Sequence, residues 1–372
     1  MDITKFFKPK NNKVDTKTNK IPNIQKFYFV LVFENSNLKT YFVKKIDKNN
    51  YKILDSIKNK NFYEIILAYD LNVYDKINKK KEFNVNVRYN FDKNHLSILK
   101  SNLQKSFRRE NEDIFMKTCM SFISIKKDGC FELLRRMTII IVEDGILGYN
   151  YDLLIWFMMY LSKNYTLNNF MIKNMMKTLF EFFNNPFKDQ SYKLYSNKNN
   201  FIKLEEIYNN NNLDQKSKNL LISLKLRNFY NGMFCDNIMI DKIVNIWYKR
   251  LLENNFKRFS EILDANKSII SYNRDTLVPN EILLESFDHH CTNISQIILD
   301  LCHNTFYLKI KKDKIESVIW DFSSSVNSRL DINKNVDKSL VQRLSKEDAD
   351  LWFILKNIYL EETNIIRHNR FS

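Results

Sequence analysis

Between Leu103 and Leu161 apolar spacing, chain breakers and a dense basic cluster agree, and no other stretch limits the fold so tightly. Ile114, Phe115, Thr118, Cys119, Phe122 and Ile123 recur at helical intervals and lie along one side of a helix. Gly129 punctuates the chain, Phe131, Leu134, Met137 and Ile141 repeat the stripe, and Asp144-Gly145 makes a second break. Leu153 to Met159 is apolar nearly all round but too short to cross a bilayer, which predicts a helix buried on most sides. The stretch therefore reads as the middle of a helical domain.

The flanks differ. Residues 25–90 carry strand patterns at Phe27–Val32, Tyr41–Val43, Tyr63–Tyr69 and Phe83–Tyr89, with a polar turn at Asn35–Asn37. Together with the helical stretch they give an α+β chain: a small, mostly antiparallel β-rich domain, then a predominantly helical region. Helical spacing at Asn169–Phe183, stopped near Pro186, closes a helical domain over 91–190. Residues 191–216, rich in Asn and Lys, read as a linker or loop with a short helix at Phe201–Tyr208. Residues 217–372 return to helix, with Ile243, Val244, Trp247 and Leu251 facing inward, a helix opening near Pro279 and running over 281–302, a short strand at Phe306–Ile310 and a last helix at Ser345–Leu360. Residues 1–24 form a basic tail.

LQKSFRRENEDIFMK, a glycine-containing turn and FELLRRMTIIIVEDGIL resemble the helical region behind the ATPase core of the Werner-helicase-interacting and replication-associated recombination ATPases. Those proteins share a collar with clamp-loader subunits. Leu103, Lys105, Ser106, Arg108, Asp113, Gly129, Arg135, Arg136, Glu143 and Asp144 carry the resemblance, which covers residues 103–147. Gly145 follows Asp144 directly where the family has an apolar residue between them. The resemblance implies a collar-like helical fold and replication-factor subunits as partners; the family's ATPase half is missing. At the N-terminus Ile3, Phe6 and Phe7, flanked by Lys8 and Lys10, resemble a truncated sliding-clamp-binding peptide without its leading glutamine.

Charge and composition bear on partners. The net charge of +16 favours an anionic partner, foremost nucleic acid. Five scattered cysteines without framework spacing fit a reducing, intracellular setting, either nuclear or a cytoplasmic viral replication site. The Asn-, Lys- and Ile-rich style and the missing ATPase half resemble a diverged protein of a large DNA virus. With glycine only at 129, 145, 148 and 232, no P-loop, GxSxG or GxGxxG is possible. KKDG at Lys126–Gly129 matches a short nucleotidyl-transfer motif but reads better as a turn. Asp288, His289, His290, Cys291, Cys302 and His303 lack the spacing of a metal site.

The expectation is a non-catalytic accessory factor of DNA replication or repair, with no cofactor, no metal and no membrane partner. Ile3, Phe6 and Phe7 would engage a sliding clamp. Lys105, Arg108, Arg109, Lys126 and Lys127 would touch DNA or a replication-factor subunit. Arg135 and Arg136 are expected to form a structural salt bridge with Glu143 or Asp144. The alternatives are a metal-dependent nuclease using dispersed carboxylates such as Asp236, Asp241, Glu285 and Asp288, or a basic assembly protein of a DNA virus.

Overall fold

The computed structural model describes residues 25–59, 63–78, 83–195, 201–230, 232–253, 259, 263, 273–288, 294–305, 307–333 and 346–372. Ile3, Phe6, Phe7, His289, His290, Cys291 and Ser345 lie outside them.

Strand β1 (Gln25–Glu34) and strand β2 (Asn37–Val43) form an antiparallel hairpin. Asn35 and Ser36 close it at φ 50° and 65°, both left-handed, as a tight two-residue hairpin turn requires. Strands β3 (Tyr51–Asn59) and β4 (Tyr63–Asp70) form a second antiparallel hairpin, and β4 runs parallel to β1 to give the order β2-β1-β4-β3. Two antiparallel pairs thus flank a central parallel one. β3 escapes the sequence pattern because a register shift between Ile53 and Asp55 breaks its alternation. Phe83–Tyr89, expected as a strand, lies outside the four-stranded sheet. It is extended chain in which Asn86 makes one isolated bridge to Asp275, while the Arg88 amide donates to Thr276 Oγ1 at 2.8 Å.

Helix α1 (Leu71–Asn78) leads to a block of α2 (Leu96–Arg108), α3 (Glu112–Ser124), α4 (Lys126–Asp144), α5 (Tyr151–Ser162) and α6 (Asn169–Phe183). Asn111 and Asn168 cap α3 and α6, each side chain accepting an amide of the first turn. The chain breaks at Ile125 and Lys126, the latter at φ 61°, and not at Gly129. Gly129 instead lies in the first turn of α4, where a Cβ would meet the Phe122 carbonyl oxygen at 1.9 Å. The turn from α3 is therefore too tight for any side chain there. The expected all-round burial of α5 holds, and its Trp156 Nε1 donates to the Phe29 carbonyl at 3.3 Å, tying sheet to helices.

α7 (Leu204–Asn209), α8 (Gln215–Arg227) and α9 (Phe234–Leu252) complete one apolar cluster that runs from Phe27 to Ile332. The long helix expected over 281–302 is absent. Short 3-10 turns at Pro279–Glu281 and Leu284–Phe287 precede α10 (Ser295–Asn304). α11 (Lys312–Ile319) continues into a π-turn at Trp320–Ser324, and α12 (Lys346–Phe371) extends beyond the periodic segment to bring Phe371 onto His95. Residue 306 lies outside the described residues, and 307–310 of the expected strand pair with no neighbour as a strand; Tyr307 stands at φ 55°. α10, α11 and α12 share a second small core around Ile298, Ile315 and Leu355. Among the described residues no helix is long and apolar enough to cross a membrane.

Arg329 joins the parts. It is fully buried, and its guanidinium donates to the carbonyls of Phe107 (3.0 Å), Phe183 (2.8 Å) and Asn185 while lying 3.9 Å over the Phe107 ring. Phe107 and Phe183 stand at the C-terminal ends of α2 and α6, where carbonyls are left over and the helix dipole is negative. Burial pulls the guanidinium down to about 10, and Glu110 and Asp144 oppose that shift. Arg329→Met would strand these carbonyls, and urea denaturation should show a loss of about 3 kcal/mol or more. A loss below about 1 kcal/mol would contradict the clamp.

Candidate nucleic-acid interface

The basic cluster of α2 points inward. Lys105 is buried, with Nζ donating to the Ser324 carbonyl at 2.8 Å. Burial pulls its ammonium down to about 8, and Arg108 and Arg109 add to the fall while Asp288 resists it. Arg108 pairs with Asp144 at 2.8 Å and donates to the Ser324 carbonyl at 3.1 Å. Arg109 takes the Ser323 carbonyl and Glu285, the latter at 3.4 Å. Asp288 accepts from Ser324 Oγ and, at 3.0 Å, from the Tyr359 hydroxyl, which in turn accepts from Ser323 Oγ at 2.7 Å. Three of the five cations expected to reach phosphate are thus bonded to the chain's own π-turn and carboxylates, and they clasp the second core to the first.

The salt-bridge partners also differ from expectation. Glu143 and Asp144 pair with Arg108 across helices, at 3.5 and 2.8 Å. Arg135 pairs one turn back with Glu132 at 2.7 Å, and Arg136 donates to Gln104, itself bonded to both Glu143 and Asp144. Lys126 is exposed and Lys127 half-buried against Asn164, so these two stay near solvent. Arg108→Glu would set a third acid beside Asp144 and Glu143, and thermal denaturation should show a loss of about 3 kcal/mol or more. Lys126→Glu should stay within about 0.5 kcal/mol of the parent. Equal effects would overturn this division between buried clasp and surface lysine.

The other chemical candidates are dispersed. Asp241 pairs with Lys225 at 2.6 Å, Asp236 accepts the Met233 amide, Glu285 faces Arg109 and Asp288 sits in the clasp. Cys302 is buried in the second core, and His303 meets the Ile310 carbonyl at the surface. Among the described residues no group of three or more His, Cys, Asp or Glu is placed to hold a metal ion.

By sequence the aromatics and lysines of residues 25–90 fit single-strand binding and an ordinary sheet with a wet outer face alike, and the register decides which of them share a face. One face, with Phe27, Phe29, Leu31 and Leu67, packs on the helices. On the other, Val30, Val32 and Ala68 pack with Tyr28, Tyr41, Val43, Ile46 and Tyr51, and no helix residue joins this cluster among the described residues. Register places Lys26 and Lys39 on this outer face, and Lys44, Lys45 and Lys48 lie in the loop that follows β2. Glu34 pairs with Lys39 at 3.3 Å and Glu64 with Lys26 at 3.4 Å, both across solvent-exposed lysines. Such pairs contribute about 1 kcal/mol at most, so a phosphate can displace them.

At the open edge of β2, α8 supplies what a neighbouring strand would. Asn219 accepts the Phe42 amide at 3.2 Å and donates to the Thr40 carbonyl at 2.9 Å, while Gln215 donates to the Phe42 carbonyl at 3.1 Å. Beside this edge a cavity of about 210 Å³ is lined by Thr40, Tyr41, Tyr149, Asp152 and Lys216 among others. Asp152, in the first turn of α5, is buried and has no ion-pair partner among the described residues. Burial pushes its carboxyl up to about 7, tempered by the Thr40 hydroxyl and the first amides of the helix.

Between the ordinary value of 3.8 and about 7 the folded chain keeps a proton that the unfolded chain loses, so stability falls as pH rises through that window. Asp152→Asn removes the penalty. Urea denaturation should find the variant level with the parent near pH 4 and up to about 4 kcal/mol more stable at pH 8. Stability curves that run parallel across this range would contradict the assignment.

No family model, curated protein or solved structure matches the chain.

Proposed function

We propose that this chain is a non-catalytic accessory factor of DNA replication or repair that lays single-stranded DNA across the outer face of its sheet. The observation that carries the reading is the grouping of Tyr28, Tyr41 and Tyr51 on that face, with lysines on it and in the adjoining loop, in a chain of net charge +16. Tyrosine rings accept stacked bases of any identity, and lysines follow the phosphates. Phosphate contact is assigned to these surface lysines and to Lys126 and Lys127, because Lys105, Arg108 and Arg109 are engaged within the chain.

The same proposal keeps Ile3, Phe6 and Phe7 as a sliding-clamp peptide and retains replication-factor subunits as partners through the resemblance of residues 103–147. A clamp tether would raise the local concentration of the DNA-binding face at a primer end without any new DNA contact. Fluorescence anisotropy with a dT15 oligonucleotide tests the face. Tyr28→Ala with Tyr41→Ala should weaken binding about tenfold or more and leave the fold intact by circular dichroism. Unchanged affinity would sink strand binding on this face. In the same series, deletion of residues 1–10 should abolish binding to the clamp and spare dT15; retained clamp binding would sink the peptide.

A further inference from the structure

A cavity of about 560 Å³ borders the first turns of α4 and α6 and the last turn of α5, a size that holds one small molecule. Of the residues that line it, Ile77, Ile123, Cys130, Leu161 and Ile172 are buried, whereas Asn78, Lys126 and Thr166 are exposed. The cavity therefore has a closed, largely aliphatic side and a polar side open to solvent.

Its charge is of one sign. Lys126 and Lys127 line it, and no carboxylate does among the described residues. Asp128, next in the chain, is held by Lys93 at 2.6 Å, and Lys127 donates to the neutral amide oxygen of Asn164. Lys126 stands at φ 61°, a conformation in which glycine and asparagine are the usual residues. The turn from α3 into α4 thus does not itself call for a lysine. An anion beside the two ammonium groups would complete them.

The remaining polar side chains separate two kinds of anion. A nucleotide needs donors and acceptors that converge on its base, and the amides here are spent on the backbone. Asn168 donates to the carbonyls of Lys76 and Ile77 and accepts the Met171 amide, while Asn78 donates to the Tyr74 carbonyl at 2.9 Å. A saturated chain needs no such partners. Aliphatic walls, spent amides and two cations without a carboxylate between them match methylenes that carry one anionic head.

We propose that this cavity binds a fatty carboxylate of medium chain length, with its acyl chain against Ile77, Ile123, Leu161 and Ile172 and its head on Lys126 and Lys127. The site goes beyond strand binding. It shares two lysines with that reading and rests on neither the sheet face nor its tyrosines.

Isothermal titration with octanoate, decanoate and dodecanoate, each below its micellar concentration, tests the site without DNA. Affinity should rise about threefold for each added methylene, since every one leaves water. Decyltrimethylammonium, with the same chain and the opposite charge, should bind at least tenfold more weakly than decanoate. Lys126→Glu should weaken decanoate about fivefold. Thr166→Trp, which places a ring on the exposed side of the lining, should abolish binding, with circular dichroism reporting that both variants fold. No decanoate binding, equal affinity for the two head charges, affinity independent of chain length, or binding that survives both substitutions overturns the proposal. Vesicles of phosphatidylcholine with phosphatidylglycerol separate a free acid from a membrane lipid. Thr166→Trp should leave any cosedimentation with them unchanged, and its loss in that variant would place the ligand in a membrane and overturn the free acid. Because no strand is present, failure here leaves dT15 binding on the sheet untouched, and failure of dT15 binding leaves this site standing.

Discussion

The architecture depends on one buried cation, Arg329, that forms no ion pair among the described residues. Arg329 holds the C-terminal carbonyls of α2 and α6 together, and Phe107 both supplies an accepting carbonyl and stacks beneath the guanidinium. A Cβ at Gly145 would stand 3.0 Å from the Phe107 ring, a tight contact that the ring would have to yield to by a few tenths of an ångström. Next to this lies the clasp of Lys105, Arg108 and Arg109 on the π-turn, which brings the second core against the first. Backbone carbonyls and the carboxylates of Asp144 and Glu285 thus engage these basic side chains within the chain. That charge is structural, and it has to be set aside before the rest can be read as an electrostatic surface.

The helical block was legible because its signal is periodic. α3, α5 and α6 follow from apolar spacing; the breaker at Asp144-Gly145 holds where that at Gly129 does not, and Phe183 ends α6 where Pro186 predicts an end. The sheet was legible wherever alternation was clean, as in β1, and was missed in β3, whose bulge shifts the phase between Ile53 and Asp55. Alternation also misled at Phe83–Tyr89, since an extended segment lying on helices has the same period as a strand. The arginines were the least legible. Arg108 and Arg135 look alike in sequence, and only the helix crossing decides that Arg108 receives Asp144. Arg329 stands in a polar run with no sign that it is buried.

The proposed surface shows the same division. Tyrosines and lysines of the first seventy residues were visible as a composition, but which of them share a face is a matter of register. Tyr28 pairs across from Val43, and Val30 from Tyr41, so the aromatic rings fall on the side away from the helices. Asp152 carried a signal that went unused. A lone carboxylate at the head of a run apolar on all sides must enter the core with its helix, and such an acid needs a partner or a proton. Its neighbours Thr40 and Lys216 come from β2 and α8, far apart in the chain, so the cavity could not be assembled from spacing.

The central claim is that nucleic acid meets this chain on the outer sheet face and not on the cationic helix α2. Photocross-linking to a single strand carrying 5-iododeoxyuridine, followed by peptide mass spectrometry, tests it most directly. The account predicts adducts on Tyr28, Tyr41 or Tyr51 and none on peptides from Leu96 to Ser124. Adducts concentrated between Lys105 and Arg109, with the sheet tyrosines unmodified, would contradict it.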